Sequence, residues 1–455
     1  MTDRILRMVP MPAPVALLGH RGRKILHAGM WSLVAKGLAA ANLFVSVPFV
    51  LSALGPSLFG VWATLVSFTV LAGFLDFGFG NGTMNLIATA HGRDAPGDVV
   101  IIVREGYRAM VRIALYLAAA ALVALALVPW YRLLGMPETD VQTARGAAAV
   151  VMFTIVLAVP LNLANRVQLG LGRGDRAFRW QAAGQLLALV AVIALAKAHA
   201  SLAMLTAAAV TTPLLASVAN TWSLWRDPAV TTPSSATRTE RDAIAHQIRS
   251  EGVLFFVLQL AAALAYSADL PLISAFRGST EAGTYAIVQR LFSVIPMSLS
   301  LVWAPLWPIY RHALASGHHA WVMRTLRRSM ASAVVFAAVC AVVLALGFTP
   351  IIKLWVHHLL IVSGMLLGGF ALWCVIEAAG TALATFLNAA SVMRFQLITA
   401  SVFAVICFAG KAWIIVRFGI TWVPWVSVIA YVLAYVLPLI WYGRRIFANV
   451  FARKY

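Results

Sequence analysis

Hydrophobic residues occur in long, nearly unbroken runs from one end of the chain to the other. Twelve runs lie near residues 30–53, 58–80, 107–130, 145–170, 180–200, 203–225, 251–275, 283–309, 328–350, 359–389, 395–416 and 420–442. A helix needs about 20 apolar residues to cross a bilayer, and most of these runs reach that length. Because the runs are continuous and do not alternate with a period of two, they indicate helices and not the strands of a barrel. The pattern predicts an all-α polytopic membrane protein with about twelve transmembrane helices.

The composition supports this class. Of the 455 residues, 62% are hydrophobic and 11% are charged, whereas about 25% are charged in a typical soluble domain. No loop between the predicted spans is long enough to fold by itself, and no P-loop sequence occurs, so we expect neither an ATP site nor any other cofactor. The three cysteines, Cys340, Cys374 and Cys407, all fall inside predicted spans without the spacing of a zinc or redox site.

The net charge of +20 comes from basic residues that sit in alternate loops and not in one patch. If the N-terminus is cytoplasmic, 26 of the 35 lysines and arginines lie on the cytoplasmic side or at its edge, and six lie on the other side. This asymmetry follows the positive-inside rule and predicts that both termini are cytoplasmic. It also argues against a nucleic-acid partner, since the partner of these residues is the lipid bilayer.

A polar segment divides the chain into two halves of six predicted spans. We expect an N-terminal cytoplasmic or interfacial segment (1–28), an N-lobe (29–225), a cytoplasmic linker (226–250), a C-lobe (251–443) and a basic cytoplasmic tail (444–455). Three motifs recur in the same order in both halves. In the first, Gly55, Gly60, Trp62 and Ala63 match Gly278, Gly283, Tyr285 and Ala286. In the second, Pro129, Arg132 and Leu133 match Pro350, Lys353 and Leu354, and in the third, Arg179, Trp180 and Gln181 match Arg394, Phe395 and Gln396. Since the halves are offset by six spans, the repeat is parallel and relates the lobes by an axis along the membrane normal.

Basic side chains inside predicted spans are candidates for a substrate cavity, because a charge in a membrane is costly unless it has a function or a partner. Arg290 lies in the eighth span with Gln289 beside it, and it is the cation that we expect to meet an anionic group. Lys411 and Lys36 are further candidates, although both are near enough to a span end to reach the interface. Trp303 lies deeper than the interfacial tryptophans and is a candidate lining residue.

Acidic side chains inside predicted spans are candidates for proton coupling or gating. Glu377 lies in the middle of the tenth span and could take up a proton there, or it could be a neutral acid held by hydrogen bonds. Asp269 in the seventh span could form a static ion pair with Arg290 or titrate during the cycle. Asp76, in a glycine-rich run near the cytoplasmic end of the second span, and Arg166, at the end of the fourth, could form a gate at the cavity mouth.

Two of the repeated segments resemble a known family. Leu54–Ala63 reads LGPSLFGVWA and is followed by Asp76–Asn81, which reads DFGFGN; in the second half Asp269 precedes Gly278–Ala286, which reads GSTEAGTYA. These segments resemble the Wzx-type polysaccharide-biosynthesis flippases of the multidrug/oligosaccharidyl-lipid/polysaccharide exporter superfamily. The resemblance covers the whole chain in topology but specific residues only in these stretches.

The resemblance implies a function that composition does not show. The substrate would be an oligosaccharide on undecaprenyl diphosphate, moved by alternating access from the cytoplasmic to the periplasmic leaflet of a bacterial inner membrane, with proton antiport as an option. Arg290, Lys411 and Lys36 would be available to meet the diphosphate, and periplasmic polymerase or export machinery would receive the product. Two alternatives remain: a multidrug cation antiporter of the same fold, and a membrane enzyme that transfers or polymerises saccharides with outer-loop residues such as Glu138 and Asp140.

Overall fold

A computed structural model describes residues 20–72, 75–232, 237–357, 360–390 and 392–452. Most of the expected N-terminal segment 1–28 therefore lies outside the described residues. Helices in the first half are α1 His20–Ala72, α2 Phe79–Gly92, α3 Pro96–Leu127, α4 Trp130–Leu133, α5 Val141–Gly170, α6 Gly174–Lys197, α7 Leu202–Val210, α8 Thr212–Leu224 and α9 Pro228–Thr231, with a 3-10 turn at Glu138–Asp140.

The second half repeats this plan. Its helices are α10 Arg238–Ala262, α11 Asp269–Arg277, α12 Ser279–Ala315, α13 His319–Leu346, α14 Phe348–Val356, α15 Gly364–Ala389, α16 Met393–Phe418, α17 Val423–Tyr431 and α18 Leu437–Ala452. A π-helical turn at Ala263–Ser267 joins α10 to α11; a 3-10 turn at Ile420–Trp422 precedes α17, and a second π-helical turn at Val432–Val436 follows it.

The all-α prediction is confirmed, since the described residues contain helices and no strand. Ten helices in this part of the chain are long and apolar enough to cross a membrane, or eleven when the bent pair Gln259–Ser267 and Asp269–Arg277 counts as one span. One of the ten, His27–Thr69, has 43 residues, which is about twice the length that one crossing needs. When α1 counts as two crossings that meet at Gly55, the described chain has the twelve spans that the hydrophobic pattern predicts.

Gly55 divides α1 into a first arm (20–54) and a second arm (56–72). Its φ of 74° and ψ of 171° are not helical, and only glycine adopts such a φ without strain. The second span is interrupted again before α2, where Phe77 and Gly78 both have positive φ. This position is the glycine-rich run that the sequence marked as a possible gate.

The two ends of the molecule pack differently. We call the side that holds the turns after α2 and α5 and the start of α10 the basic side, which is the predicted cytoplasmic side, and the opposite side the outer side. Towards the outer side one hydrophobic core is shared by both lobes and includes Phe59 and Trp62 of α1, Tyr285 of α12 and Phe370 of α15. Towards the basic side there are separate cores, one in the N-lobe and one in the C-lobe. The lobes are therefore joined most firmly at their outer ends.

At the basic side the lobes touch along one edge, where α10 packs against α2 and α3. The rings of Phe77 and Phe256 lie 4.8 Å apart, and Ile248 of α10 is buried in the basic-side core of the N-lobe. The second half of the expected linker therefore belongs to α10, which begins at Arg238 and continues into the seventh span.

The start of the linker is fixed to the N-lobe by charge. Asp227 accepts hydrogen bonds from Arg176 at 3.1 Å and from Arg173, both on the turn into α6 or its first turn. Burial raises the pKa of the Asp227 carboxyl, but the N–H of Ala229 and the two guanidinium groups outweigh it, so the pKa lies below its ordinary value. This clamp holds α9 against the basic-side core, where Val230 is fully buried.

Candidate functional site

A cavity of about 660 Å³ lies inside the N-lobe. All six spans of that lobe contribute to its wall, and among the described residues Arg290 is the one that lines it from the C-lobe. The lining includes small side chains, such as Ala39, Ala158 and Ala209, and this explains why space is left between the helices. The volume is in the range of about 300–1,000 Å³ that is usual for small-molecule sites.

Arg290 reaches this cavity from α12 and is buried, with 8% of its surface exposed. Its guanidinium carbon lies 5.1 Å from the ring centre of Trp62 and 5.6 Å from that of Phe59, both on the second arm of α1. Its Nη1 atom has no hydrogen-bond partner, and no carboxylate of the described residues pairs with it. Since a buried charge without a partner is destabilising by about 3–5 kcal/mol, this arginine is poised to accept an anion.

Amide side chains form much of the remaining polar wall. Asn42 of α1 donates a hydrogen bond to Gln185 of α6 at 3.2 Å, which leaves one donor and one acceptor group of the pair free. Asn165 accepts from the buried Asn220 at 2.8 Å, and Asn220 in turn accepts from Gln168 at 2.6 Å. Such a wall offers donors and acceptors together, which is what hydroxyl groups require.

Asp76 and Arg166 line the basic-side end of the same cavity, as the sequence prediction placed them. Asp76 accepts a hydrogen bond from the backbone N–H of Gly78 at 2.9 Å and interacts electrostatically with Arg166. Among the described residues, the ionisable ones that line the cavity are Arg166, Arg290 and Asp76, so this wall carries a net positive charge.

The expected pairing of Asp269 with Arg290 is wrong. The Asp269 carboxylate instead accepts hydrogen bonds from the Lys411 ammonium at 2.7 Å and from the Tyr285 hydroxyl at 2.8 Å. Lys411 also donates to the carbonyl oxygen of Ala265 at 2.8 Å, in the π-helical turn that joins α10 to α11. The expectation that Lys411 faces the cavity is corrected as well, because only 2% of its side chain is exposed and its charge is compensated inside the C-lobe.

Glu377 lies close to this ion pair and interacts electrostatically with Lys411. No hydrogen bond or ion pair forms at its carboxylate within the described chain. Beside it is an aromatic cluster formed by Tyr266, Trp373, Phe403, Tyr431 and Tyr435, whose neighbouring rings lie 4.7–6.1 Å apart. These rings lie in the C-lobe, whereas the cavity that Arg290 enters lies in the N-lobe.

Three other candidates lie outside the cavity wall. Gln289 and Trp303 belong to α12 but do not line the cavity, because the helix turns their side chains away from the face that carries Arg290. Lys36 is half-buried on α1, one turn towards the basic side from Ala39 and in helical phase with that lining residue. It forms no ion pair with a described residue, so a place at the cavity mouth remains a prediction.

In the outer-loop pair of the enzyme alternative, Glu138 is exposed and Asp140 is half-buried. Glu138 and Asp140 lie in the 3-10 turn before α5, and Glu138 accepts a long hydrogen bond of 3.4 Å from Tyr131. Residues that the sequence analysis missed are Asn42, Gln185 and Phe59. Polar residues at helical spacing were a signal for the first two, but nothing in the sequence distinguishes Phe59 from an ordinary core residue.

No model of a known protein family matches the sequence, and no curated protein matches it either. Solved structures do match in fold. An inward-facing multidrug resistance MATE family transporter of the MOP superfamily has a TM-score of 0.75 at 15% identity over 93% of this chain and 98% of its own. An outward-facing one has a TM-score of 0.68 at 17% identity over 97% and 99%.

A third structure, from Pyrococcus furiosus, has a TM-score of 0.66 at 16% identity over 97% of this chain and 99% of its own. It is described as a MOP superfamily transporter in which the reverse polarity of the binding pocket suggests a different function. At these identities the likeness shows the fold alone. The chain therefore has the two-lobed membrane fold of the MATE transporters of the MOP superfamily.

Proposed function

We propose that this protein is an alternating-access transporter that flips an oligosaccharide linked to undecaprenyl diphosphate from the cytoplasmic to the periplasmic leaflet. The observation that carries the proposal is Arg290, a buried cation without an anionic partner among the described residues, at the end of an amide-lined cavity. A diphosphate would supply the missing negative charge and would accept hydrogen bonds from the free N–H groups of the guanidinium.

The remaining cavity wall suits a saccharide. Hydroxyl groups both donate and accept hydrogen bonds, and the amides of Asn42, Gln185 and Gln181 offer both functions. The cavity volume fits a short oligosaccharide head group but not a long prenyl chain, which would stay in the bilayer. Recognition of the head group and exclusion of the tail are the two requirements of a lipid flippase.

The packing of the lobes supports alternating access. The cores are shared at the outer ends and separate at the basic side, so this conformation is closed towards the periplasm on the predicted topology. Rocking one lobe against the other about the repeat axis would open the outer side and carry the substrate across.

Ion coupling is the part of the proposal that belongs to the C-lobe. Glu377 and Asp269 place two carboxylates near one ammonium, Lys411, so the cluster has one negative charge without compensation. A charge of this kind inside a membrane favours uptake of a proton. We propose Glu377 as the group that takes it up, since Asp269 is already satisfied by Lys411 and Tyr285.

Multidrug export is the second candidate function. Two of the fold relatives are described as multidrug resistance transporters, which favours export of small organic molecules. The net positive charge of the cavity speaks against cationic drugs, because a cation would lie close to Arg290 without a carboxylate to balance both charges.

The deciding experiment is lipid analysis of cells that lack the gene, with an impermeant label to report which leaflet holds the glycolipid. We expect diphosphate-linked oligosaccharide to accumulate on the cytoplasmic face, and expect the intact gene to reverse this. Arg290→Ala should fail to restore flipping, whereas Arg417→Ala, which removes an exposed arginine at the outer end of α16, should restore it.

Each alternative function gives a different result in the same cells. Normal glycolipid sidedness together with greater sensitivity to cationic dyes would replace the flippase by a drug exporter. Glycolipid that reaches the outer face but is not elongated or transferred would indicate a saccharide transferase or polymerase, and variants of Glu138 and Asp140 would then be tested.

A further inference from the structure

We propose that Phe59 and Trp62 position Arg290 for anion binding only while the outer ends of the lobes are closed, so that the protein loses affinity for the anion when the outer side opens. This inference rests on the proposed function, because it assumes an anionic substrate in the N-lobe cavity. On this proposal Phe59 and Trp62 are positioning residues, and their contact with Arg290 couples the movement of the lobes to the release of substrate.

The first step is that the arginine and its surroundings belong to different lobes. Arg290 is on α12 of the C-lobe, whereas Phe59, the cavity-lining Trp62 and the other described lining residues are on the N-lobe. The guanidinium is held over the two rings by cation–π attraction, which is worth more when the cation is desolvated, as it is here. An anion bound to Nη1 inside the cavity would therefore touch both lobes.

The second step is that these two helices also form the outer contact between the lobes. A Cβ atom built on Gly60 would lie 1.7 Å from the backbone oxygen of Ser279, and one built on Gly283 would lie 3.2 Å from the Cα of Gly60. The hydroxyl groups of Ser57 and Ser279 are 2.9 Å apart at the same crossing. We call this crossing of α1 and α12 the outer seal.

The outer seal and Arg290 cannot move independently. Gly283 and Arg290 are seven residues apart on α12, so they lie on the same face of one helix about 10 Å apart. On α1, Gly60 lies between Phe59 and Trp62 in the chain. Separation of α1 from α12 at the glycines must therefore draw Arg290 away from both rings and from the cavity.

The other cavity arginine provides an internal comparison. Arg166 and its electrostatic partner Asp76 both belong to the N-lobe, so lobe separation leaves their relationship unchanged. Only the contribution of Arg290 to anion affinity depends on the outer seal. By linkage, an anion that binds better to the sealed state must also stabilise the outer seal.

The test is a double-mutant cycle with radiolabelled farnesyl diphosphate as the probe and the full-length protein in nanodiscs. In the natural background we expect Arg290→Ala to weaken probe binding about 10- to 100-fold, the usual loss for a hydrogen bond to a charged group. Gly60→Val, which wedges the outer seal but does not line the cavity, should cause a similar loss. In the Gly60→Val background, Arg290→Ala should have no further effect.

Two controls make the cycle specific. Arg166→Ala should weaken binding by the same factor in both backgrounds, because its surroundings do not depend on the seal. Gly146→Val adds the same side chain to α5 where the space is open, and it should leave probe binding unchanged. An equal loss on Arg290→Ala in both backgrounds would overturn the inference while leaving the proposed function intact. A natural protein that binds no farnesyl diphosphate would overturn both.

A second measurement does not depend on the folding of the wedge variant. In a protein with Ser57→Cys and Ser279→Cys and with the three native cysteines replaced by alanine, the rate of disulfide formation reports closure of the outer seal. Gly283→Ala is added to this protein so that the seal is partly open. The probe should accelerate the crosslink, and Arg290→Ala should abolish the acceleration; a crosslinking rate that the probe does not raise would contradict the inference.

Discussion

Gly60 and Gly283, which occupy equivalent positions in the two halves of the chain, lie in direct backbone contact across the boundary between the lobes. A Cβ atom on Gly283 would stand 3.2 Å from the Cα of Gly60 and 3.1 Å from the carbonyl oxygen of Pro56. The repeat axis therefore passes close to this pair, and the absence of side chains lets the two helices meet. The contact closes the outer side of the molecule.

The two glycines should respond differently to alanine. At Gly60 the new methyl group would overlap a backbone oxygen at 1.7 Å, which the structure can relieve only by moving a helix; at Gly283 the contacts of 3.1–3.3 Å need only small shifts. Overpacking of this kind costs about 1–3 kcal/mol. We expect Gly60→Ala to open the outer side more often than Gly283→Ala does. A cysteine placed at the buried, cavity-lining Ser46 and labelled by an impermeant thiol reagent from outside should react faster in Gly60→Ala, and equal labelling rates would contradict this.

The buried ion pair of the C-lobe should show strong coupling. Lys411→Met leaves the Asp269 carboxylate without its cation, and breaking a buried pair in this way costs about 3–5 kcal/mol. Lys411→Met combined with Asp269→Asn removes both charges and should be much less destabilising than the two single changes added together. Unfolding in detergent would measure both, and simple additivity would show that the pair does not interact as described.

The linker clamp should depend on pH. Because folding lowers the pKa of Asp227 below its ordinary value of 3.8, the stabilisation is present at neutral pH and is lost as the pH falls through the lower folded-state pKa. We expect Asp227→Asn to cost about 1 kcal/mol or less at pH 7, since the partner arginines are partly exposed. Thermal unfolding of both proteins should be measured from pH 7 to pH 3. The difference in stability between the natural protein and Asp227→Asn should become smaller towards pH 3, and a difference that grows as the pH falls would contradict the prediction.

Glu377→Gln should separate ion coupling from substrate binding. The amide keeps the shape of the side chain but cannot take up a proton. In proteoliposomes, we expect the variant to bind farnesyl diphosphate like the natural protein but to lose the acceleration of transport by an imposed pH gradient. Glu281→Gln, at the exposed outer end of α12, is the matched control and should keep the acceleration. If Glu377→Gln still responds to the gradient, the proton is taken up elsewhere.

The candidate site was predictable only in part. Asp76, Arg166 and Arg290 were identified because a charged residue in an apolar run is conspicuous, and all three line the cavity. The partner of Asp269 was not identified, because Lys411 lies 142 residues further along the chain and competes with Arg290 for the same carboxylate. Choosing between two cations requires the distances between helices, which a linear pattern does not contain.

A comparison of the two lobes shows the same limit of prediction from sequence. Leu43 and Tyr266 have equivalent positions in the repeat, yet Leu43 lines the N-lobe cavity and Tyr266 belongs to the aromatic cluster of the C-lobe. The repeat predicts two similar lobes, but the side chains at equivalent positions differ in volume, and this difference gives the two lobes different interiors. That volume becomes meaningful only when residues from four or five helices are brought together.

By itself the sequence determined that this is an all-α membrane protein with about twelve crossings, and it predicted two related halves with the basic charge concentrated on one side. These properties follow from local hydropathy and from short motifs, and each hydrophobic run or motif occupies only a few tens of residues of the chain. Only the tertiary structure decided that the cavity lies in the N-lobe, that Arg290 enters it from the other lobe with no anionic partner among the described residues, and that Lys411 is held in the C-lobe. Those outcomes depend on contacts between residues more than a hundred positions apart, where packing and charge compensation select one arrangement among several that the sequence allows.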